Sequence, residues 1–178
     1  KMAEELYREW FVRLRFPGHE AVKIVKGVPE GWEVTPLGEI AEYLNGYAFG
    51  PDDWKDEGFP IIKIRELKQG ITAETPRNSG DDVPRKLFVQ AGDILFSWSG
   101  SLEVVIWNEE PGLLNQHLFK VNPKPEIPKS FLFLSLKAAI PSFAALTTGA
   151  TMQHIKRGEL NQVKIPLPPK NILSPFDK

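Results

Sequence analysis

No cysteine occurs in this chain, which excludes disulfides, zinc ribbons and thiol catalysis and leaves the fold to hold without a covalent staple. Histidine is nearly as scarce. His19, His117 and His154 have no spacing suited to a metal site. Long apolar runs are missing as well: the stretch 131–136 is broken by Ser135 and followed by Lys137, far short of the ~20 residues a membrane span needs. The N-terminus mixes acidic and basic residues and has no apolar signal core, so a soluble, cytoplasmic protein is expected. Nor is there an excess of one charge, since 22 basic and 23 acidic residues leave a net −1. Nucleic-acid binders often carry a basic surplus, so any such role would rest on a local face.

Enzyme motifs are equally thin. Asn122-Pro123-Lys124-Pro125 lacks the second proline and the aromatic of an N-specific DNA methyltransferase, and no Gly-rich cofactor loop follows a strand. Ser97, Ser99 and Ser101 with Asp93 and His117 invite a hydrolase reading, but no G-x-S-x-G elbow surrounds the serines. One rival survives: Pro51-Asp52 followed by Glu66-Leu67-Lys68 fits the PD…(D/E)xK spacing of metal-dependent endonucleases, where two carboxylates hold a divalent ion. The match is loose, and a solvated acidic loop plus a polar strand face explains it as well.

What is present suits one globular domain: 178 residues, 42% hydrophobic and 25% charged. Ala3, Leu6, Tyr7, Trp10, Phe11 and Leu14 recur at helical spacing, ended by Phe16-Pro17-Gly18. This pattern runs from Ala3 with no capping residue before it, as if the chain enters inside a longer helix. It is either a fragment or a product beginning at Met2 behind a residual tag residue. An extended stretch over 22–28 is expected to turn at Pro29-Glu30-Gly31. Thr35 and Pro36 predict a short helix as far as Leu44, stopped by Asn45-Gly46. Strands are expected over 61–67, 94–98, 102–107, 114–121 and 163–167. Ser130 is read as capping a helix through Ala139, with Pro141 starting another turn. The expected class is α+β, a mixed, mostly antiparallel sheet with a few short helices, preceded by the end of a longer amphipathic helix.

Several segments in this order resemble the target recognition domains of type I restriction–modification DNA-specificity subunits. They are "ELYREWFVRLRFPGHE", "VPEGWEVTPLGEIAEYLNGYAF", "GFPIIKIREL", "AGDILFSWSGS", "LLNQHLFKV" and "TTGATMQHIKRGELNQVKIPLPP". The resemblance implies a helix end over residues 1–18 and a single recognition domain over 19–178. It implies sequence-specific binding of double-stranded DNA, without catalysis or a cofactor, at one half of a bipartite target. The implied partners are a methyltransferase subunit and, through it, a restriction–motor subunit. Two departures stand out. "PLPP" runs into "KNILSPFDK" rather than into the family's second long helix, and only one recognition domain is present where the usual subunit has two.

Side chains suited to base edges or phosphates then become candidates: Asn45, Tyr47, Lys63, Arg65, Lys68, Ser97, Ser99, Ser101, Asn115, Gln116, His117, Thr148, Gln153, Lys156 and Arg157. Taken singly, each is also an ordinary surface or turn residue. Lys63 and Arg65 are expected to alternate with Ile62 and Ile64 on a strand. Trp98 and Trp107 are assigned to the sheet core. The helical stripe of Leu6, Tyr7, Trp10, Phe11 and Leu14 is a candidate partner interface, for a homodimer or for the methyltransferase subunit; its docking on a protein is the competing non-DNA reading.

Overall fold

The computed structural model describes residues 2–146 and 157–176. In chain order the strands are β1 (Ile24–Val25), β2 (Val28–Pro29), β3 (Glu33–Pro36), β4 (Ala41–Asn45), β5 (Phe59–Ile62) and β6 (Arg77–Asn78). They continue with β7 (Phe88–Val89), β8 (Ile94–Ser97), β9 (Glu103–Ile106), β10 (Gly112–Leu114), β11 (Leu118–Pro123) and β12 (Lys164–Leu167). The helices are α1 (Met2–Tyr7), α2 (Ile64–Gln69), α3 (Lys129–Leu146), α4 (Arg157–Leu160) and α5 (Lys170–Phe176).

Two four-stranded sheets carry the architecture, one antiparallel in the order β4-β11-β8-β9 and one mixed in the order β6-β5-β10-β7, with β5 and β10 parallel. β12 pairs with β3, and β1 with β2. The antiparallel sheet is covered on both faces, which explains why all four residues of β8 are buried. Ile94 and Phe96 face a core shared with Phe131 and Phe143 of α3, whereas Leu95 faces Ile61, Leu113 and Val89 of the mixed sheet. Between the sheets Lys120 donates to the Phe88 carbonyl and pairs with Asp93, both at 2.8 Å. The class is α+β, as the sequence implied.

Several local expectations are corrected. Of the helix expected up to Leu44 only a single 3-10 turn forms, over Leu37–Glu39; beyond it Ala41 and Tyr43 point inward and Glu42 outward, the period of a strand, and β4 is held by its ladder to β11. The 61–67 segment is strand only to Ile62, then turns into α2. The 114–121 segment is two strands, β10 and β11, divided by a turn. The 22–28 stretch turns at Lys26-Gly27, both at positive φ (51° and 86°), as a tight hairpin demands. "KNILSPF" folds as α5 despite Pro175.

α3 is continuous through Pro141. Its 18 residues have a mean hydropathy of 1.3, enough in length and composition for a membrane span. Here, however, Phe131, Leu132, Leu134, Leu136 and Phe143 of this helix lie in the core.

The N-terminal stripe is also corrected. α1 runs on into a π turn over Arg8–Val12, and Tyr7 and Phe11 are buried in the domain's own core rather than offered to a partner. The Phe11 ring lies 5.0 Å from Phe131, 4.9 Å from Phe176 and 6.1 Å from Trp32, and the Tyr7 hydroxyl donates to Ser135 Oγ. Trp10 and Leu14 are partly buried against the same cluster. Only Leu6 stays exposed. The cover that the helix needed comes from α3 and α5.

Candidate functional site

Six strand ends meet at one rim. β4, β8, β5 and β10 end there, at Asn45, Ser97, Ile62 and Leu114, while β11 and β9 start there, at Leu118 and Glu103. The registers fix this: Phe119 opposes Asn45, Leu118 opposes Ser97, Ser97 opposes Glu103, and Leu114 opposes Ile62. Tyr47 stitches the two sheets together at the rim, donating its N–H to the Leu114 carbonyl (2.8 Å) and accepting the Gln116 N–H (2.9 Å). The Asn115 N–H in turn reaches the Ile62 carbonyl at 3.1 Å. The crossing is so close that a Cβ on Gly46 would sit 2.1 Å from the Asn115 carbonyl oxygen, so only glycine fits.

Three candidate segments far apart in sequence, 45–47, 97–101 and 115–117, are therefore neighbours. Their side chains differ in what they can do. Asn45 is exposed, and Tyr47, Ser101, Gln116 and His117 are half-buried. Ser97, Ser99 and Asn115 are corrected from contact residues to internal ones, at 0%, 7% and 4% exposure. Ser97 Oγ donates to the Ser101 carbonyl and accepts the Glu103 N–H, closing the β8–β9 turn. Asn115 Oδ1 accepts the His117 N–H at 3.5 Å. These groups shape the rim from within.

Trp98, assigned to the core by sequence, packs half-buried against that core and closes one end of the rim. Its Nε1–H donates to Asn45 Oδ1 at 3.0 Å, and its ring lies 5.8 Å from both His117 and Phe119. Beside it, His117 Nδ1 is buried with no hydrogen-bond partner among the described residues.

Of the basic candidates, Arg65 and Lys68 lie on a helix rather than a strand, and Lys63 stands at its start. Lys63 precedes α2 directly after Ile62, placing its backbone beside the Asn115 turn. Its ammonium sits 4.4 Å from the centre of the Trp54 ring, a partly exposed aromatic that the sequence did not single out. Arg65 and Lys68, one turn apart and exposed, share a helix face. Arg65 donates to Glu74 at 2.7 Å, and this hydrogen bond holds its guanidinium above the usual arginine range.

Glu66 breaks the two-carboxylate reading. It is 2% exposed, and its carboxylate accepts the Lys63 N–H (3.1 Å) and the Thr75 hydroxyl (3.2 Å), which caps α2 as a glutamate at this position does. Asp52, by contrast, is exposed on its loop. Among the described residues no three His, Cys, Asp or Glu side chains form a group that could hold a metal ion. Thr148, Gln153 and Lys156 lie outside the described residues; Arg157 is the first residue of α4 and its side chain lies outside them.

Residues 29–178 match the family model described as the type I restriction modification DNA specificity domain. The chain is 28% identical over 145 residues to the type I restriction enzyme EcoBI specificity subunit of Escherichia coli, covering 80% of this chain and 30% of that one. It is 29% identical over 176 residues to the MjaVIII specificity subunit of Methanocaldococcus jannaschii, covering 92% and 40%. It thus spans well under half of either relative. In fold it resembles the crystal structure of the HsdS subunit from Thermoanaerobacter tengcongensis, with a TM-score of 0.60 at 21% identity, over 99% of this chain and 41% of that one.

Proposed function

Because the chain belongs to the family of type I restriction modification DNA specificity domains, we propose that it reads one half of a bipartite site in double-stranded DNA through the rim of its two sheets. The observation that carries this reading is the convergence of Asn45, Tyr47, Ser101, Gln116 and His117 with the Lys63 end of α2 on that one edge. Asn45 ends a strand and the others sit on short connections tied to strand ends by backbone hydrogen bonds, which holds side chains more rigidly than free loops do, as base readout requires. Amide, imidazole and hydroxyl groups suit base edges, while Lys63, Arg65 and Lys68 suit phosphates.

In this reading residues 19–178 are the recognition domain and 1–18 the end of a scaffold helix, packed here onto the domain it leads into. The chain contributes no catalysis and binds no cofactor. It directs a methyltransferase subunit, and through it a restriction–motor subunit, to DNA in the cytoplasm. The stripe that suggested a homodimer is largely taken up by the domain's own core, so the assembly depends on other surfaces.

A salt titration tests the reading. Binding through phosphates makes log K fall linearly with log salt, and removing one phosphate contact should flatten that slope by about 1. Lys63→Ala should weaken all DNA sequences alike and flatten the slope in this way. DNA binding that ignores salt, or that survives Lys63→Ala with its slope intact, would place the DNA elsewhere.

A further inference from the structure

Resting on the DNA-reading role of the rim, we propose that Trp98 is a positioning residue that fixes the Asn45 amide, so that Asn45 presents its NH2 group to an acceptor atom on a base edge. The orientation follows from donor chemistry. An indole N–H can only donate, so the Asn45 atom facing Trp98 Nε1 at 3.0 Å is the carbonyl oxygen Oδ1. The amide's two faces are otherwise hard to tell apart; here the partner decides. Nδ2 is left at the exposed side of Asn45 and carries both donors.

The holder is itself held. Trp98 lies against Phe119 and His117, each ring centre 5.8 Å away, and its backbone N–H donates to the His117 carbonyl at 3.3 Å. On the other side, Asn45 opposes Phe119 in the β4–β11 ladder, and the next residue is the Gly46 that cannot be replaced without displacing Asn115. An amide pinned at both backbone and carbonyl offers a fixed donor, and fixed donors discriminate between bases, where freely rotating ones do not. The acceptors it fits are purine N7, guanine O6 or thymine O4 in the major groove.

Selection from a randomised duplex pool tests this without knowing the target. The wild-type chain, Asn45→Ala, Trp98→Phe and the double variant would each be carried through, with thermal melts to show that Phe at 98 keeps the fold. Asn45→Ala and Trp98→Phe should lose preference at the same single base pair by roughly tenfold, the double variant no more than either. Preferences elsewhere should stand, which a general loss of structure would not allow. Asn45→Asp, which keeps the oxygen for Trp98 and gives up the donors, should shift that position toward adenine or cytosine, whose exocyclic amines donate. Should Trp98→Phe select the wild-type sequence, or Asn45→Asp weaken every sequence equally as a phosphate contact would, the positioning role falls while DNA reading survives. A wild-type chain that selects no sequence overturns the DNA reading itself.

Discussion

Replacing Glu66 with glutamine separates its capping role from the metal-binding role that the sequence spacing suggested. The carboxylate is almost wholly buried and accepts two hydrogen bonds, from the Lys63 N–H and from the Thr75 hydroxyl. Glutamine is nearly isosteric, but keeps one acceptor oxygen and turns an NH2 toward the other donor. One charge-assisted bond is thereby weakened and one buried donor left without an acceptor, a combined cost of ~2 kcal/mol. For a domain of this size that lowers Tm by roughly 4–8 °C. Alanine, which abandons both donors and empties the site, should cost about 3–4 kcal/mol. Urea denaturation of the two variants reads both numbers. A glutamine variant within ~0.5 kcal/mol of wild type would refute the capping argument. The same protein incubated with plasmid DNA and magnesium should leave the DNA uncut; nicking that disappears in Glu66→Gln would restore the nuclease.

Two further outcomes follow from the packing. Phe11→Ala should destabilise the domain by about 3–5 kcal/mol, as deletion of a buried ring does, while Leu6→Asp should stay within about 0.5 kcal/mol, as thermal denaturation can check; equal effects would mean that the helix packs differently. Gly46→Ala should disturb the rim more than the cores: amide chemical shifts should move around Asn45, Tyr47 and Asn115, and DNA selectivity should fall, whereas an unperturbed spectrum would remove the close crossing from the argument.

What the sequence revealed depended on how local the deciding force was. β8, β9 and β12 are flanked by turn residues, and their apolar content left little alternative. Residues 37–44 were ambiguous, because Leu37, Ile40, Ala41 and Leu44 satisfy a helical stripe as readily as a strand face. Pairing with β11, more than 70 residues away in the register of Ala41 with Pro123, decided the matter. The α2 error had a readable warning, a glutamate three residues after Lys63, the sign of a capped start. The rim itself could not be read locally. Its composition follows from the sheet orders and from one parallel pair, β5 with β10, that brings Ile62 beside Leu114. Nor did residue type distinguish Asn45, exposed, from Asn115, buried: both were candidates for the same chemical reason, and burial separated them.

The aromatic contact between the two ends of the described chain has a wider meaning. Tyr7, Trp10 and Phe11 near the start all touch Phe176 near the end, at 6.3, 5.9 and 4.9 Å between rings. A unit whose first and last elements pack against each other can be spliced or circularly permuted at that one place while its two sheets keep their registers.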